Sequence, residues 1–578
     1  MHTVARVLPS SNTELISIMC GIGGILSKKD ENVVPLVGSM LSCMTNRGPD
    51  GAGIAADEHS IQSDSFSNLR YQKISGSSAL GHVRLAIVGG TCGQQPFRSC
   101  DGRLTVEHNG EIYNYKAIRK RLMKFHKFTT QTDSEVIVHL IEDYFLKKND
   151  LLHAIRKTVA ELDGVYAFVV KEEESGTLAL VRDKMGVRQI YYGENDRFIA
   201  FASERKALWK IGIKEPTKRV LPCYAVIISP DGSLRESKIA NLPIQSTKKV
   251  YKTVASAVNI YEKKLLASMK KRTQDFDKVG IIFSGGIDSV IIAWIAKKMV
   301  PEVICYTGGI SGSNDILYAR QIAKKLDLKL RVNELSQDEV EQMIPEVINT
   351  IEDTNSGQVE VAIPVYAAVK LAHEDGINVM FSGQGADELF GGYPWYARVV
   401  EKEGYQKLRD HMTQDLLLLY KETLEREDKI TMAHSIEMRE PFLDLEVIKC
   451  SMGMDLKLNV KGETDTMGKH IHRKLAQKLG IPKTIAYRIK EAAQHGSGMH
   501  DIFDTIARKH GFDEFTISKR YLDVMQAREK MGSSQRYGYL FENEKMWIAE
   551  PHVQMYLDSI SRTHPTFEQN LVAKSKKR

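Results

Sequence analysis

Residues 278–298, KVGIIFSGGIDSVIIAWIAKK, join two apolar runs through Ser284-Gly285-Gly286-Ile287-Asp288-Ser289. A strand that ends in a Gly-Gly turn at a helix N-terminus gathers unpaired backbone N–H groups at the positive end of the helix dipole, which suits an anion. Two hydroxyls and a carboxylate in the same stretch add phosphate donors and a group able to hold Mg²⁺. The turn has no lysine of the G-x4-G-K-[ST] kind. The nearest approach to that pattern, Gly462 to Gly468-Lys469-His470, has five intervening residues and no hydroxyl, and it fails. A second apolar run, INVMF, ends in Ser382-Gly383-Gln384-Gly385-Ala386-Asp387-Glu388. One such turn reads equally well as a strand end capped by Asp. Two of them, each closing an apolar strand, point to a nucleotide phosphate site.

The surrounding pattern supplies the elements that such turns need. From about 275 the chain alternates strand and helix: VGIIF before a helix near 289–299, EVICYT before one near 315–326, then KLRVNEL. That order predicts a parallel sheet with helices packed on it. Between 20 and about 245 short strand-like runs dominate, among them CGIGGIL, LGHVRLAIV, LTVEHNGEIYN, YAFVVKE and RFIAFASE, with helical stretches between them, which predicts layered α+β. NLPIQSTKK at 241–249 is the expected connection, and 400–550 reads as mostly helical.

Bulk properties exclude several classes. The 578 residues allow two or three domains, and 42% hydrophobic with 26% charged residues is ordinary globular composition. The net charge of +7, from 80 Lys+Arg and 73 Asp+Glu, comes without a basic block interleaved with aromatics, so no nucleic-acid partner is expected. No apolar run reaches the roughly 18 residues of a membrane span, and residues 1–19 lack the features of a secretory signal. Seven scattered cysteines (20, 43, 92, 100, 223, 305, 450) without CxxC point to a reducing, cytoplasmic compartment and argue against a zinc site. VAKSKKR at the end reads as a solvated basic tail.

Residues 284–289 resemble the pyrophosphate loop of the ATP pyrophosphatase superfamily, which cleaves ATP between the α and β phosphates and adenylates a carboxylate or carbonyl oxygen. The 382–388 turn, MAHSIEMREPFLD (432–444) and YRIKEAAQHGSG (487–498) resemble one branch, the asparagine synthetases and their relatives. The resemblance implies ATP contacts from Ser284, Gly285, Gly286, Asp288, Ser289, Asp315, Ser382 and Gly383, Mg²⁺ on Asp288 and Asp387, and Lys490 on the leaving phosphate. Gln384 stands where many of these enzymes carry Glu. An amide can orient ammonia or the acyl-adenylate but cannot take a proton. Arg439 and Asp444 read as structural.

MCGIGGI at 19–25 resembles the class II glutamine amidotransferases, whose nucleophile is an N-terminal Cys with its own α-amine as base. The resemblance implies Cys20 as nucleophile, Arg84 on the glutamine α-carboxylate, Asp133 on its α-amino group, and Asn109 and Gly110 as an oxyanion hole. NRGPDG (46–51) carries Arg47 of the family's arginine loop. Cys20 is internal as written, so residues 1–19 are expected to be absent from the mature protein, with Met19 as initiator or the extension cleaved.

The reading is therefore an α+β Ntn-hydrolase-type αββα sandwich over 20–245, then an α/β parallel-sheet nucleotide-binding domain with a helical C-terminal part over 250–550, then a basic tail at 551–578. The expected function is asparagine synthesis from aspartate, glutamine and ATP through β-aspartyl-AMP, with amide formation on another carboxylate as the alternative. The sequence leaves the oligomeric state open, with a homodimer as one option. An inactive binding protein is disfavoured by the intact phosphate loops. A phosphoribosyl amidotransferase is excluded because it lacks the SGGxDS loop.

Overall fold

The computed structural model describes residues 17–57, 59–86, 93–214, 216–242, 244, 251–462, 464–488, 493–517 and 550–563. They divide into two compact units. The first comprises Met1–Asp183, Ile190–Ile213 and Lys218–Ala240, and the second Lys184–Gln189, Lys214–Thr217 and Asn241–Arg578.

The first unit contains two antiparallel sheets. One takes β1 (Ser17–Ser27), β2 (Gly51–Ala56), β3 (His59–Ser63), β4 (Ser78–Ala86), β9 (Tyr191–Glu194), β10 (Phe198–Ala202) and β11 (Lys218–Arg219), in the order β11-β9-β10-β1-β4-β2-β3. The other takes β5 (Phe97–Arg98), β6 (Leu104–Ile112), β7 (Gly164–Glu172), β8 (Leu178–Arg182), β12 (Tyr224–Ile228) and β13 (Leu234–Lys238), in the order β13-β12-β8-β7-β6-β5.

Strand side chains alternate between faces, and here both faces are apolar. On β10, Phe198, Ala200 and Ala202 pack with α1 (Val34–Ser42) and α5 (Arg205–Lys210), while Ile199 and Phe201 join Leu178, Leu180, Val226 and Ile228 of the second sheet. On β7, Ala167 and Val169 face that same middle layer. Tyr166, Phe168 and Val170 instead meet α2 (Tyr115–Leu122), α3 (Glu135–Lys148) and α4 (Leu151–Glu161). The result is the αββα sandwich. Each aliphatic or Phe side chain fully buried in it contributes roughly 1.5–3 kcal/mol.

In the second unit five parallel strands form the order β16-β15-β14-β17-β18. They are β14 (Lys278–Ile282), β15 (Glu302–Ile310), β16 (Lys329–Leu335), β17 (Val379–Phe381) and β18 (Glu437–Arg439). Helix α6 (Val254–Thr273) precedes β14. Helices α7 (Ile287–Ala296) and α8 (Asn314–Leu326) follow β14 and β15, beginning slightly earlier than the apolar pattern indicated. β18 carries no strand signal in the sequence, since it is a three-residue edge rich in charge.

The C-terminal tail expected from residue 551 is corrected in part. Pro551–Thr563 is a helix whose Val553, Tyr556 and Leu557, spaced along one face, are buried. Gln554 and Asp558 bind Thr354 and Ser356. Most of the linker 241–249, the stretch 518–549 of the expected helical part, residues 1–16 of the expected extension, Cys92 and Lys490 lie outside the described residues.

Candidate active sites

In the first unit, Cys20 lies on β1 directly opposite Arg84 of β4. Cys20, Arg84, Asn109 and Asp133 are all buried. The Cys20 N–H donates to Asn109 Oδ1 at 3.1 Å. The other end of that amide, Nδ2, is buried with no hydrogen-bond partner among the described residues. Such an N–H₂ aimed away from its neighbours is costly unless something else accepts from it. Gly110 follows at φ +142°, and a Cβ there would sit 2.1 Å from Val165 O, so only glycine lets β6 lie this close to β7.

Asp133 Oδ2 accepts from the Ile112 N–H at 2.9 Å, which fixes the carboxylate beside β6. Arg47 Nε donates to Cys20 O at 3.1 Å, and its Nη1 meets Glu204 Oε1 at 3.0 Å. Arg47 thus pins the strand that carries the thiol. Burial pushes the Cys20 thiol up to about 12, opposed by Arg84 and Arg47 and reinforced by Asp133. At neutral pH the group is therefore a thiol, and it needs a base.

In the second unit, Ser284 follows β14 and Gly286 caps α7. Gly285 sits at φ +68° with the backbone of Tyr318 and Ala319 just over 3 Å from where a Cβ would be. Ser284 Oγ accepts from the Gly286 N–H at 3.3 Å, and Ser289 Oγ donates to Gly286 O at 3.0 Å. The first-turn N–H groups of α7 have no intrahelical acceptor, so the turn can cradle an anion. Arg488 Nη1 approaches Ser284 O at 3.5 Å and its guanidinium covers the Tyr318 ring, which adds a cation beside that cradle.

The two turns meet. A Cβ on Gly383 would lie 2.8 Å from that of Asp288. Lys469 Nζ donates to both Asp288 oxygens at 2.7 Å and reaches Asp387 Oδ1 at 2.8 Å. His472 Nε2 lies 3.1 Å from Asp288 Oδ1, and its Nδ1 pairs with the Tyr261 hydroxyl. Burial works against the Lys469 charge, but Asp288 and Asp387 outweigh it and hold the ammonium above the ordinary lysine range. Asp288 and Asp387 therefore converge on the Lys469 ammonium and offer oxygen donors only, a donor set that also suits a hard ion shared with substrate phosphates. Asp315 opens α8 with its carboxylate under Gly496, where a Cβ would stand 2.6 Å from Oδ1. Ile310 N–H to Ser497 O ties the 493–498 segment to the end of β15.

Gln384 follows Ser382 and Gly383, and its Nε2 donates to Glu427 Oε1 in a short contact. Glu427 is buried. Burial raises its carboxyl above the usual range, opposed by Arg426 and by hydrogen bonds from Gln384 and Ser382. Sequence reasoning missed Lys469, Arg488, His472 and Glu427. Lys469 surfaced there only as a failed phosphate-loop lysine, and Glu427 sits in EREDK, a run within the stretch read only as mostly helical.

Comparison with known proteins gives two family matches. A glutamine amidotransferase domain model matches residues 19–244, and an asparagine synthase model matches 261–406 and 397–558. A putative glutamine-hydrolyzing asparagine synthetase 1 of Methanocaldococcus jannaschii is 34% identical over 553 residues, covering 88% of this chain and 99% of that protein. The glutamine-hydrolyzing asparagine synthetase 1 of Arabidopsis thaliana is 28% identical, covering 83% and 78%. A probable one of Schizosaccharomyces pombe is 27% identical, covering 87% and 89%.

Proposed function

The chain belongs to the family of glutamine-hydrolysing asparagine synthetases, and from that premise we propose how its own residues carry the reaction. It is a ligase that makes asparagine from aspartate with glutamine as nitrogen donor and ATP as the activating substrate.

In the first unit the Cys20 thiolate attacks the glutamine amide carbon. Asn109 Nδ2 and the Gly110 N–H receive the developing oxyanion, Arg84 holds the α-carboxylate and Asp133 the α-ammonium group. Collapse gives a γ-glutamyl thioester and ammonia, and water then releases glutamate. An amide nitrogen at Cys20 has no lone pair for the thiol proton, whereas an α-amine of pKa about 7.7–8.0 does. The active species is therefore assigned to a chain that begins at Cys20.

In the second unit the aspartate β-carboxylate attacks the α-phosphorus of ATP. Pyrophosphate departs into the 284–289 turn, with Arg488 and Lys490 opposing its charge, and β-aspartyl-AMP remains. Asp288 and Asp387 would hold Mg²⁺, which when bound neutralises phosphate charge. Ammonia oriented by Gln384 attacks the acyl carbon, AMP leaves, and Glu427 lies beside Gln384 to take the surplus proton. The observation that carries this reading is the meeting of the two phosphate-type turns at Lys469.

The test supplies full-length and Cys20-initiated chains with ATP, glutamine and a panel of carboxylates, and identifies products by mass spectrometry. Asparagine, glutamate, AMP and pyrophosphate are expected. ADP with phosphate, or the amide of another acid, overturns the proposal.

A further inference from the structure

Away from both sites, four side chains of different elements turn their ligand atoms to one point. Cys100 comes from the turn after β5, His126 from the end of the loop that closes α2, and His139 and Glu142 from adjacent turns of α3. Cys100 Sγ lies 3.8 Å from His126 Nδ1 and 3.7 Å from His139 Nδ1. Glu142 Oε2 lies 3.0 Å from His126 Nδ1 and 3.1 Å from His139 Nδ1. All four atoms fall within 4.8 Å of one another. A tetrahedral zinc with ordinary Zn–S, Zn–N and Zn–O bonds would set such neighbours about 3.3–3.6 Å apart.

The ligands are also held from outside. Glu142 Oε1, which does not face the centre, accepts the Asp101 N–H at 3.1 Å, and the ligand atom Cys100 Sγ accepts the Lys127 N–H at 3.4 Å. His139 Nε2 faces Glu135 Oε1 at 3.7 Å, a carboxylate behind an imidazole though beyond hydrogen-bond length. Outer partners of this kind orient metal ligands. His126, His139 and Glu142 are buried while Cys100 is exposed, which leaves one side open for entry.

We propose that Cys100, His126, His139 and Glu142 form a structural zinc site that fastens the loop between α2 and α3. One thiolate, two imidazoles and one carboxylate in a closed tetrahedral set suit Zn²⁺ over harder ions. The fastened loop ends at Asp133, and Glu135 clamps its middle through the N–H and hydroxyl groups of Thr129 and Thr130 at 2.6–2.8 Å. The ion thus steadies the wall that carries Asp133 and takes no part in bond making. The cysteine spacing gives no hint of this, because three of the four ligands are not cysteines and the set spans residues 100–142.

The test uses untagged full-length protein grown with zinc and purified without chelator. Metal analysis should find about one zinc per chain, falling below about a tenth in Cys100→Ser and in Glu142→Gln, which retain the outer hydrogen-bonding shape. Replacement by Co²⁺ should give a thiolate-to-cobalt charge-transfer band that Cys100→Ser lacks. Retained glutaminase kcat at saturating glutamine reports that the first unit of the variants is folded, and the KM for glutamine should rise several-fold in the zinc-free forms. Negligible zinc in the parent, equal zinc in parent and variants, or cobalt bound without the thiolate band overturns the site, leaving a hydrogen-bonded cluster. A zinc-free variant with unchanged KM overturns the fastening role.

Discussion

Lys469→Met removes the ammonium that Asp288 and Asp387 share while keeping the length and bulk of the side chain. The geometry sets the scale. A unit charge pair at 2.7 Å is worth about 6 kcal/mol at an effective dielectric of about 20, before the cost of taking the charges out of water. Removing one member of a buried pair costs about 3–5 kcal/mol net, because the partner is left uncompensated. Here two carboxylates are left, but their side chains are 17% and 13% exposed, so water relieves part of the penalty and about 3 kcal/mol is expected. With a urea slope of about 3 kcal/mol/M for a unit of this size, the midpoint should fall by about 1 M.

The assay is urea unfolding read by hydrogen exchange on peptides of β14 and β17, so that the second unit is followed by itself. Two controls sharpen it. Asp387→Asn in the Lys469→Met background removes one of the two unpaired charges and should recover about half the loss, a coupling expected only of groups in contact. Millimolar Mg²⁺ should raise the midpoint of Lys469→Met more than that of the parent, because the freed carboxylates can share it. A Lys469→Met midpoint within about 0.2 M of the parent, or no recovery in the double variant, refutes the reasoning.

Asn109→Asp keeps the oxygen that accepts the Cys20 N–H but turns the Nδ2 donor into an acceptor. Glutaminase kcat should fall about 10²–10³-fold with ammonia-dependent synthesis intact, and equal loss in both assays counts against the oxyanion role. Asp444 is buried, which pushes its carboxyl up, but Arg272 and Lys271 prevail and hold it at about 2 against an ordinary 3.8. A depressed carboxylate stabilises the fold above pH 3.8, and that contribution is lost as pH falls through about 2. Asp444→Asn should therefore cost about 2 kcal/mol at pH 7, with the gap from the parent closing between about pH 4 and 2 in urea titrations. Gln384→Ala should slow amide formation far more than aspartate-dependent ATP–pyrophosphate exchange, and equal slowing would place Gln384 among the phosphate contacts. Gln384→Glu should retain synthesis with activity that declines as pH rises, because two carboxyls in contact hold one proton between them, and a flat pH profile would argue against that sharing.

The parts of both sites that were legible in the sequence are those whose chemistry is local. SGGIDS and SGQGADE each hold strand end, turn and helix start within a few residues, so the anion cradle can be read without the fold. Cys20, Arg84, Asn109 and Asp133 were legible only as a set in order along the chain, and β1, β4 and β6 then gather them. Lys469 was illegible because its meaning lies in carboxylates 181 residues before it and on a separate loop. Residues 425–429, EREDK, are the sharper case. Five successive charged residues on the helix Glu425–Ala433 are all buried. Lys429 pairs with Glu352 at 2.7 Å, Asp428 with Arg188 at 3.1 Å, and Glu427 with Gln384. No periodicity argument could find this, since each of these three partners comes from another element. The C-terminal helix was hidden for a related reason: its apolar face is short and only the core it meets gives it meaning.

That density of buried charge bears on what the second unit is built for. Ion pairs in a protein interior add little net stability, and replacing a whole network with well-packed apolar side chains is often neutral or stabilising. Stability alone therefore does not account for Lys469 between two aspartates or Glu427 against Gln384 and Arg426; a third network sets Asp444 between Arg272 and Lys271. Under the proposed mechanism the site holds a triphosphate, separates a pyrophosphate and admits a neutral amine, and that needs fixed charges already in position, because dipoles that reorient during the reaction raise its barrier. Gly392 fits this account. A Cβ there would stand 1.9 Å from Asp387 Oδ1 and 2.1 Å from Lys469 Cε, so the backbone itself closes over the pair and keeps it from rearranging. Of the three networks, the one around Asp444 lies on α6 and the start of the helix Leu445–Met452, where it supports structure without touching the turns. Replacing Lys271, Arg272 and Asp444 together by apolar residues should thus leave ATP–pyrophosphate exchange largely intact. The same treatment of Asp288, Asp387 and Lys469 should yield a protein at least as stable as the parent and without that exchange. Preserved exchange in the second design would mean that the buried charges at the turns serve the fold and not the reaction.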